Sequence, residues 1–262
     1  MSQQKRRIVV KVGTSTLTYA NGKSNLRHMS ELVKVLSDLM NSGIETVLVT
    51  SGAIGVGAGK LGMKGRPSDT LSRQAAATVG QCELMTMYDR MFSEYGYPVG
   101  QLLITKSDVD DDERRHNLIN AFAKLFELNV VPIVNENDSI SYEEIEFGDN
   151  DTLSAIVAKL VEADLLVMLT DIDGLYDKNP RKFSDAKIID EVTEITEEVK
   201  AMADGAGTSR GTGGMITKLL AAEIATNAGC DVIIANGNAP GNIYKVLEGE
   251  PVGTKFRRKC DE

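Results

Sequence analysis

The chain has 262 residues, with 29 lysines and arginines against 38 aspartates and glutamates, and a formal net charge of −9. Its 42% hydrophobic and 26% charged residues are ordinary for a globular protein and argue against wholesale disorder, while the acidity disfavours binding to nucleic acid. No apolar run is long enough to span a membrane, and Lys11 breaks the first such run, which also disfavours a secretory signal.

The cysteines and histidines limit the chemistry that side chains can support. Cys82, Cys230 and Cys260 lie far apart and form no Cys-x-x-Cys motif, which favours a reducing compartment, the cytoplasm. His28 and His116 are the two histidines, and no His-x-x-x-His or Gly-x-Ser-x-Gly motif occurs. We therefore assign no metal-ligating residues, and a Ser-His-Asp triad would need one of these two histidines.

Short β-branched runs alternate along the chain with longer amphipathic stretches. The runs are continuously apolar, which is typical of parallel strands covered on both faces. Predicted strands cover 8–12, 46–50, 99–104, 130–134, 165–169 and 232–235, and predicted helices lie near 28–42, 70–94, 113–128, 151–163 and 215–228. This alternation predicts an α/β fold, an open parallel sheet with helices on both sides.

Polar residues and glycines follow several of these strands, where ordinary turns also use them. The carboxyl ends of parallel strands meet at one edge of a sheet, and ligands bind there. The joint placement therefore favours a binding site, formed by residues 13–15, 51–53, 135–138 and 170–171.

Lys11 lies inside the apolar run Ile-Val-Val-Lys-Val. A buried lysine costs several kcal/mol unless it is paired, although a lysine near the end of a strand can also extend its ammonium group to water. We favour a cation that rigid backbone aims at an anion.

A second cationic position follows the glycine-rich stretch 203–214. Glycines allow close approach to the backbone, and the start of the next helix offers free N–H groups, which together suit a phosphate. Lys218 in the first turn can face the same anion, whereas the alternative is a flexible loop with an exposed lysine.

A second glycine pattern does not indicate a binding site. Gly57–Gly62 matches Gly-x-Gly-x-x-Gly but begins too far beyond its strand to bind a dinucleotide.

A long polar loop over 136–150 ends at Gly148-Asp149-Asn150-Asp151 and opens the helix predicted at 151–163. Loops of this length in compact domains tend to be functional. One of these carboxylates can hold the two lysines in place, and the others can accept hydrogen bonds from an ammonium group.

With these motifs the chain resembles the amino acid kinases, and within them the members that phosphorylate glutamate. The resemblance covers nearly the whole chain, and the NEND and GDND motifs point to that group. It rests on VVKVGTS (9–15), VTSGAIGVG (49–57), VGQ (79–81), VNENDSI (134–140), FGDND (147–151), LTDIDGLYDKNPR (169–181) and GTGGMITKLLAA (211–222).

The resemblance implies a three-layer α/β/α sandwich with a mostly parallel open sheet. It also implies an acceptor-binding part at about 1–163, a nucleotide-binding part at about 164–262, and no PUA domain. The implied reaction is ATP-dependent phosphorylation of the γ-carboxylate of L-glutamate to L-glutamyl 5-phosphate, the first step of proline biosynthesis, with Mg²⁺. We expect a homo-oligomer, a dimer or a tetramer, with L-proline as a candidate feedback inhibitor.

Carried over by position, the resemblance implies three sets of site residues. The catalytic residues are Lys11, Lys218 and Asp151. The glutamate-binding residues are Ser51, Gly52, Asn135, Asp138, Asp149 and Asn150. The nucleotide-binding residues are Lys11, Gly13, Thr170, Asp171, Thr212, Gly213, Gly214, Met215, Ile216, Thr217 and Lys218.

This chemistry suits the residues present. A γ-carboxylate is already ionised at neutral pH, so no general base is needed, and phosphoryl transfer requires positioning and charge neutralisation. Our hypothesis is that Lys11 and Lys218 flank the transferring group and that Asp151 orients both. The alternatives are a family member with another acceptor, a non-catalytic amino-acid sensor, and a Rossmann oxidoreductase.

Overall fold

An eight-stranded sheet runs through the part of the chain that the computed structural model describes, residues 6–19, 23–140, 150–203 and 214–259. Each predicted strand is present, with bounds that differ by no more than two residues. The strands are β1 (Arg7–Val12), β2 (Glu45–Val49), β3 (Val99–Ile104), β4 (Val131–Glu136), β5 (Leu165–Thr170), β6 (Glu191–Val192), β7 (Asp231–Asn236) and β8 (Thr254–Phe256).

The helices include the five that the sequence predicts and several short ones that it does not. They are α1 (Thr14–Leu17), α2 (Leu26–Asn41), α3 (Ala53–Lys60), α4 (Thr70–Ser93), α5 (Lys106–Asp110), α6 (Asp112–Glu127), α7 (Asn150–Leu160), α8 (Glu197–Ala203), α9 (Met215–Asn227) and α10 (Asn242–Glu248). Of these described helices, none is both long and apolar enough to cross a membrane.

The strand order is β3-β4-β2-β1-β5-β7-β8-β6, with β1 near the centre. Strands β1 to β5 and β7 pair in parallel, and β8 runs antiparallel to β7. The expected mostly parallel α/β sheet is therefore confirmed. In chain order, β2, β3 and β4 all lie on one side of β1, and the chain then crosses to β5 on the other side. The strand order therefore reverses at β1.

Alternate residues of β1 enter two separate cores, because successive strand side chains point to opposite faces. Val9 packs in the core that α6, α7 and α9 cover. Ile8 and Val10 pack in the core that α2, α4 and α10 cover. Lys11 shares the face of Val9 and therefore points toward α7 and α9.

Helix α2 shows how sequence pattern and packing agree. Its predicted apolar face is confirmed, since Leu32, Val35, Leu36 and Leu39 are all buried. The helix begins after Asn25, whose side-chain oxygen accepts a hydrogen bond from the backbone N–H of His28.

Helix α3 contains the first part of the Gly-x-Gly-x-x-Gly pattern, and Gly57 within it serves helix packing. A Cβ atom on Gly57 would overlap the backbone carbonyl of Ala76 in α4, and one on Gly80 would overlap that of Ala53 in α3. The two helices therefore touch backbone to backbone. Helix α3 was missed because glycine disfavours helix, and this long-range contact outweighs that preference.

We predict opposite effects for two alanine substitutions in this helix pair. Gly80→Ala should lower the free energy of unfolding by about 1–3 kcal/mol or more, because the new methyl group meets backbone that cannot move aside. Gly55→Ala in α3 should raise it by about 0.4–1 kcal/mol, since nothing lies within 4 Å of its Cβ position. Chemical denaturation of both variants measures the difference, and equal stabilities would contradict the close contact.

Candidate active site

The predicted site residues that the structure describes gather at the carboxyl ends of the parallel strands, around β1. Ser51 follows β2, Asn135 lies near the end of β4, and Thr170 ends β5. Because the strand order reverses at β1, the helices that follow its neighbours diverge and leave a crevice there. The crevice has Lys11 at its centre.

Lys11 and Lys218 both contact one carboxylate, that of Asp151. Asp151 Oδ1 lies 2.7 Å from Lys11 Nζ, and Asp151 Oδ2 lies 3.0 Å from Lys218 Nζ. The exposed fractions of Lys11, Asp151 and Lys218 are 2%, 0% and 6%. The structure thus brings together the three predicted catalytic residues, from a strand and from the first turns of two helices.

Burial and the two lysines act in opposite directions on the Asp151 carboxyl. Burial alone would raise its pKa, but the charges of Lys11 and Lys218 and hydrogen bonds from both lower it to about 2. Asp151 is therefore ionised at neutral pH. Two buried lysines thus share one ionised carboxylate, and each brings N–H donors to this place.

Thr217 also contacts Asp151. Its Oγ1 lies 2.9 Å from Asp151 Oδ2 and 2.8 Å from the carbonyl oxygen of Gly214, so the hydroxyl has two acceptors. Thr217 was predicted to bind the nucleotide, and the contact with Asp151 was not foreseen. The pattern of one sequence offers no signal for it, because Thr217 and Asp151 are 66 residues apart.

Three residues predicted to bind the acceptor form one buried network. Asn150 Nδ2 donates to Ser51 Oγ at 2.9 Å, to Asn135 Oδ1 at 2.7 Å and to the carbonyl oxygen of Thr50. These acceptors occupy the amino end of the Asn150 amide, so its Oδ1 is turned away from them. Gly52 follows Ser51 with φ of 95°, a left-handed conformation that favours glycine, and caps α3.

Gln81 extends this network, although it was not among the predicted site residues. Its Oε1 accepts a hydrogen bond of 2.8 Å from Asn135 Nδ2, while its buried Nε2 has no hydrogen-bond partner among the described residues. Gln81 thereby holds the Asn135 amide in the orientation that presents Oδ1 to Asn150. Gln81 lies in the VGQ motif, which was the available signal for this residue. A single glutamine in a helix, however, does not indicate in the sequence which side chain it contacts.

Asp138 lies in the turn after β4, beside two arginines. Burial raises the pKa of the Asp138 carboxyl above its ordinary value, although the charges of Arg66 and Arg73 act to lower it. Thr78 Oγ1 in α4 donates to Ser139 Oγ at 3.0 Å, which ties this turn to the helix. The turn thus presents negative and positive charge side by side.

Those predicted nucleotide-binding residues that the structure describes lie on the β5 side of Lys11. Val12 pairs with Leu169, so the next residues, Gly13 and Thr170, are neighbours at the sheet edge. Asp171 is exposed, and Thr170 is buried. Gly214 caps α9, whose first residues are Met215 and Ile216. Three predicted site residues lie outside the described residues: Asp149, Thr212 and Gly213.

The described residues offer no preformed protein cage for a metal ion. Among them, no group of three or more histidine, cysteine, aspartate or glutamate side chains is placed to hold one. Each oxygen of the Asp151 carboxylate already faces an ammonium group.

We predict that Asp151 stabilises the folded chain more than either lysine does. Asp151→Asn removes the carboxylate that both buried ammonium groups contact and should lower the free energy of unfolding by about 3–5 kcal/mol at neutral pH. Lys218→Met should cost clearly less, because Lys11 and Asp151 remain as a neutral pair. Chemical denaturation compares the two variants, and an Asp151→Asn protein as stable as Lys218→Met would contradict the charge balance.

Comparisons with known proteins identify the fold and the family of this chain. The structure of carbamate kinase from Giardia lamblia bound to AMP-PNP superposes with a TM-score of 0.69 at 16% identity and covers 98% of this chain and 99% of that one, which shows the fold. A glutamate 5-kinase of Clostridium perfringens is 52% identical over 98% of this chain and 97% of its own length. A glutamate 5-kinase of Listeria innocua is 51% identical over 98% of this chain and 95% of its own. The amino acid kinase family model matches residues 6–236, and the chain therefore belongs to the amino acid kinase family and, within it, to the glutamate 5-kinases.

Proposed function

We propose that the chain transfers the γ-phosphoryl group of ATP to the γ-carboxylate of L-glutamate, with Lys11, Lys218 and Asp151 as its transfer centre. The products are L-glutamyl 5-phosphate and ADP. The oxygen–phosphorus bond to ADP breaks as the bond to the carboxylate oxygen forms. The reaction serves proline biosynthesis, as the family membership indicates.

The observation that carries this proposal is the contact of two buried lysines, Lys11 and Lys218, with the ionised Asp151 carboxylate. A transferring phosphoryl group spreads negative charge over its oxygens, and preorganised donors stabilise that charge most where water is excluded. The Lys218 ammonium group has three N–H donors, so its contact with Asp151 leaves capacity for phosphoryl oxygens. The carboxylate of glutamate is ionised at neutral pH and acts as nucleophile without a general base.

The acceptor is held on the β2 side of Lys11 and the nucleotide on the β5 side, with the two parts at about 1–163 and 164–262. The Asn150 carbonyl oxygen and the Asp138 carboxylate supply acceptors for the ammonium group of glutamate. Arg66 and Arg73, which act on Asp138, supply the opposite charge that an α-carboxylate requires. Mg²⁺ bound to the ATP phosphates would add charge neutralisation, as is usual for an ion that keeps few protein ligands.

The acyl phosphate product gives a direct test of the reaction. Hydroxylamine converts it to a hydroxamate, so hydroxamate should accumulate only when glutamate, ATP and Mg²⁺ are all present. Formation with aspartate or acetylglutamate but not with glutamate would assign another acceptor. ATP-independent glutamate binding without hydroxamate would indicate a sensor instead of an enzyme.

Removal of the Lys11 ammonium group should mainly slow the chemical step. We expect Lys11→Ala to lower kcat by about 10²–10³, the usual cost of one preorganised donor. The matched control is Lys159→Ala, because Lys159 is exposed on α7. Near-normal turnover of Lys11→Ala, measured as ADP release, would refute the assignment.

Asp138 should control glutamate affinity in a pH-dependent way. As the pH falls through its raised pKa, Asp138 gains a proton and loses its charge, so the KM for glutamate should rise on the acid side. Asp138→Asn should raise this KM about tenfold or more at neutral pH and remove that rise. It should not destabilise the fold, because the raised pKa means that the buried charge costs free energy. An unchanged KM would exclude the contact.

L-proline carries the same α-amino and α-carboxylate groups as glutamate, so we propose that it competes at this acceptor site. Inhibition should then raise the KM for glutamate and leave kcat unchanged. We predict from the sequence that the protein is located in the cytoplasm and forms a homo-oligomer, and both statements stay predictions.

A further inference from the structure

We propose that Thr217 is a positioning residue, whose hydroxyl orients the Asp151 carboxylate. For phosphoryl transfer, this contact of Thr217 with Asp151 matters more than a contact of Thr217 with the nucleotide. The inference rests on the proposed function, because it assigns a role within the same transfer centre. Its starting point is the 2.9 Å distance between Thr217 Oγ1 and Asp151 Oδ2.

The two oxygens of Asp151 have different partners. Oδ1 faces Lys11 in β1, whereas Oδ2 faces Lys218 and Thr217, both in the first turn of α9. A carboxylate can rotate about its bond to Cβ, and rotation would weaken both ion pairs at once. Thr217 and Lys218, which belong to the same rigid helix turn, both donate to Oδ2 and fix the plane of the carboxylate. Oδ1 therefore stays directed at Lys11.

A hydroxyl suits this position because it donates without adding charge. A third cation would hold Asp151 as firmly but would add another buried charge beside Lys11 and Lys218. A hydrogen bond to a carboxylate is about twice as strong as one between neutral groups, so the Asp151 contact competes well with the Gly214 carbonyl for the one proton of Thr217. The hydroxyl also joins the first turns of α7 and α9, which carry Asp151 and Lys218.

Helix α9 offers a matched control for this contact. Thr226 Oγ1 also donates to backbone carbonyls of its own helix, Ala222 at 2.8 Å and Glu223 at 3.3 Å, and it has no carboxylate partner within the described part of the chain. Thr217→Val and Thr226→Val therefore make the same chemical change, and the two differ in the contact with Asp151. Thr217→Ser keeps the hydroxyl and serves as the rescue variant.

The test is steady-state kinetics of the full chain with ATP, Mg²⁺ and glutamate, with thermal unfolding measured in parallel. We expect Thr217→Val to lower kcat about tenfold, with the KM values for ATP and glutamate within about threefold of the parent, whereas Thr217→Ser and Thr226→Val keep kcat near the parent value. A purely structural role would lower the unfolding temperature without this separation of kcat from KM.

Two outcomes overturn the inference and leave the proposed function intact. In the first, Thr217→Val has the same kcat as Thr226→Val. In the second, the loss appears in the KM for ATP with kcat unchanged, which would make Thr217 a nucleotide ligand. Failure of the proposed function itself gives a different result, because the unaltered chain would then form no hydroxamate from glutamate.

Discussion

The site depends on one interaction, the contact of the Asp151 carboxylate with two buried ammonium groups. Without that carboxylate, Lys11 and Lys218 would repel each other in a place from which water is excluded. With it, both lysines are held at the same place, at the carboxyl ends of the strands. Ammonium N–H donors gathered at one place suit the oxygens of a phosphoryl group.

The rest of the fold supplies rigid attachment for these three side chains. Lys11 is held by a central strand that pairs on both sides, with β2 and β5. Asp151 and Lys218 occupy the first turns of α7 and α9, which pack on the same face of the sheet. The acceptor side is held by buried amides, and the backbone contact of α3 with α4 at Gly57 and Gly80 positions Ser51 and Gln81 around them.

The two sides of the crevice have different characters, which fits two different substrates. The β2 side presents side-chain amides, the Ser51 hydroxyl and a charged cluster at Asp138, which fits the small polar acceptor that we propose for it. The β5 side presents the start of α9, whose first N–H groups suit a phosphate chain, next to Gly13 and Thr170. Lys11 lies between them, where the proposed transfer takes place.

The sequence by itself determined six of the strands, the five long helices and the candidate residues Lys11 and Lys218, because strand burial, helical periodicity and the spacing of glycines and lysines are local properties. The family resemblance singled out Asp151, and the short strands β6 and β8 were not predicted. The sequence did not predict α3, whose glycines disfavour helix until α4 packs against them. It also did not reveal the hydrogen bonds of Gln81 with Asn135 and of Thr217 with Asp151, because each joins segments more than 50 residues apart. Only the tertiary structure decided those contacts, since the distance between two side chains depends on how the elements pack and not on their order in the chain.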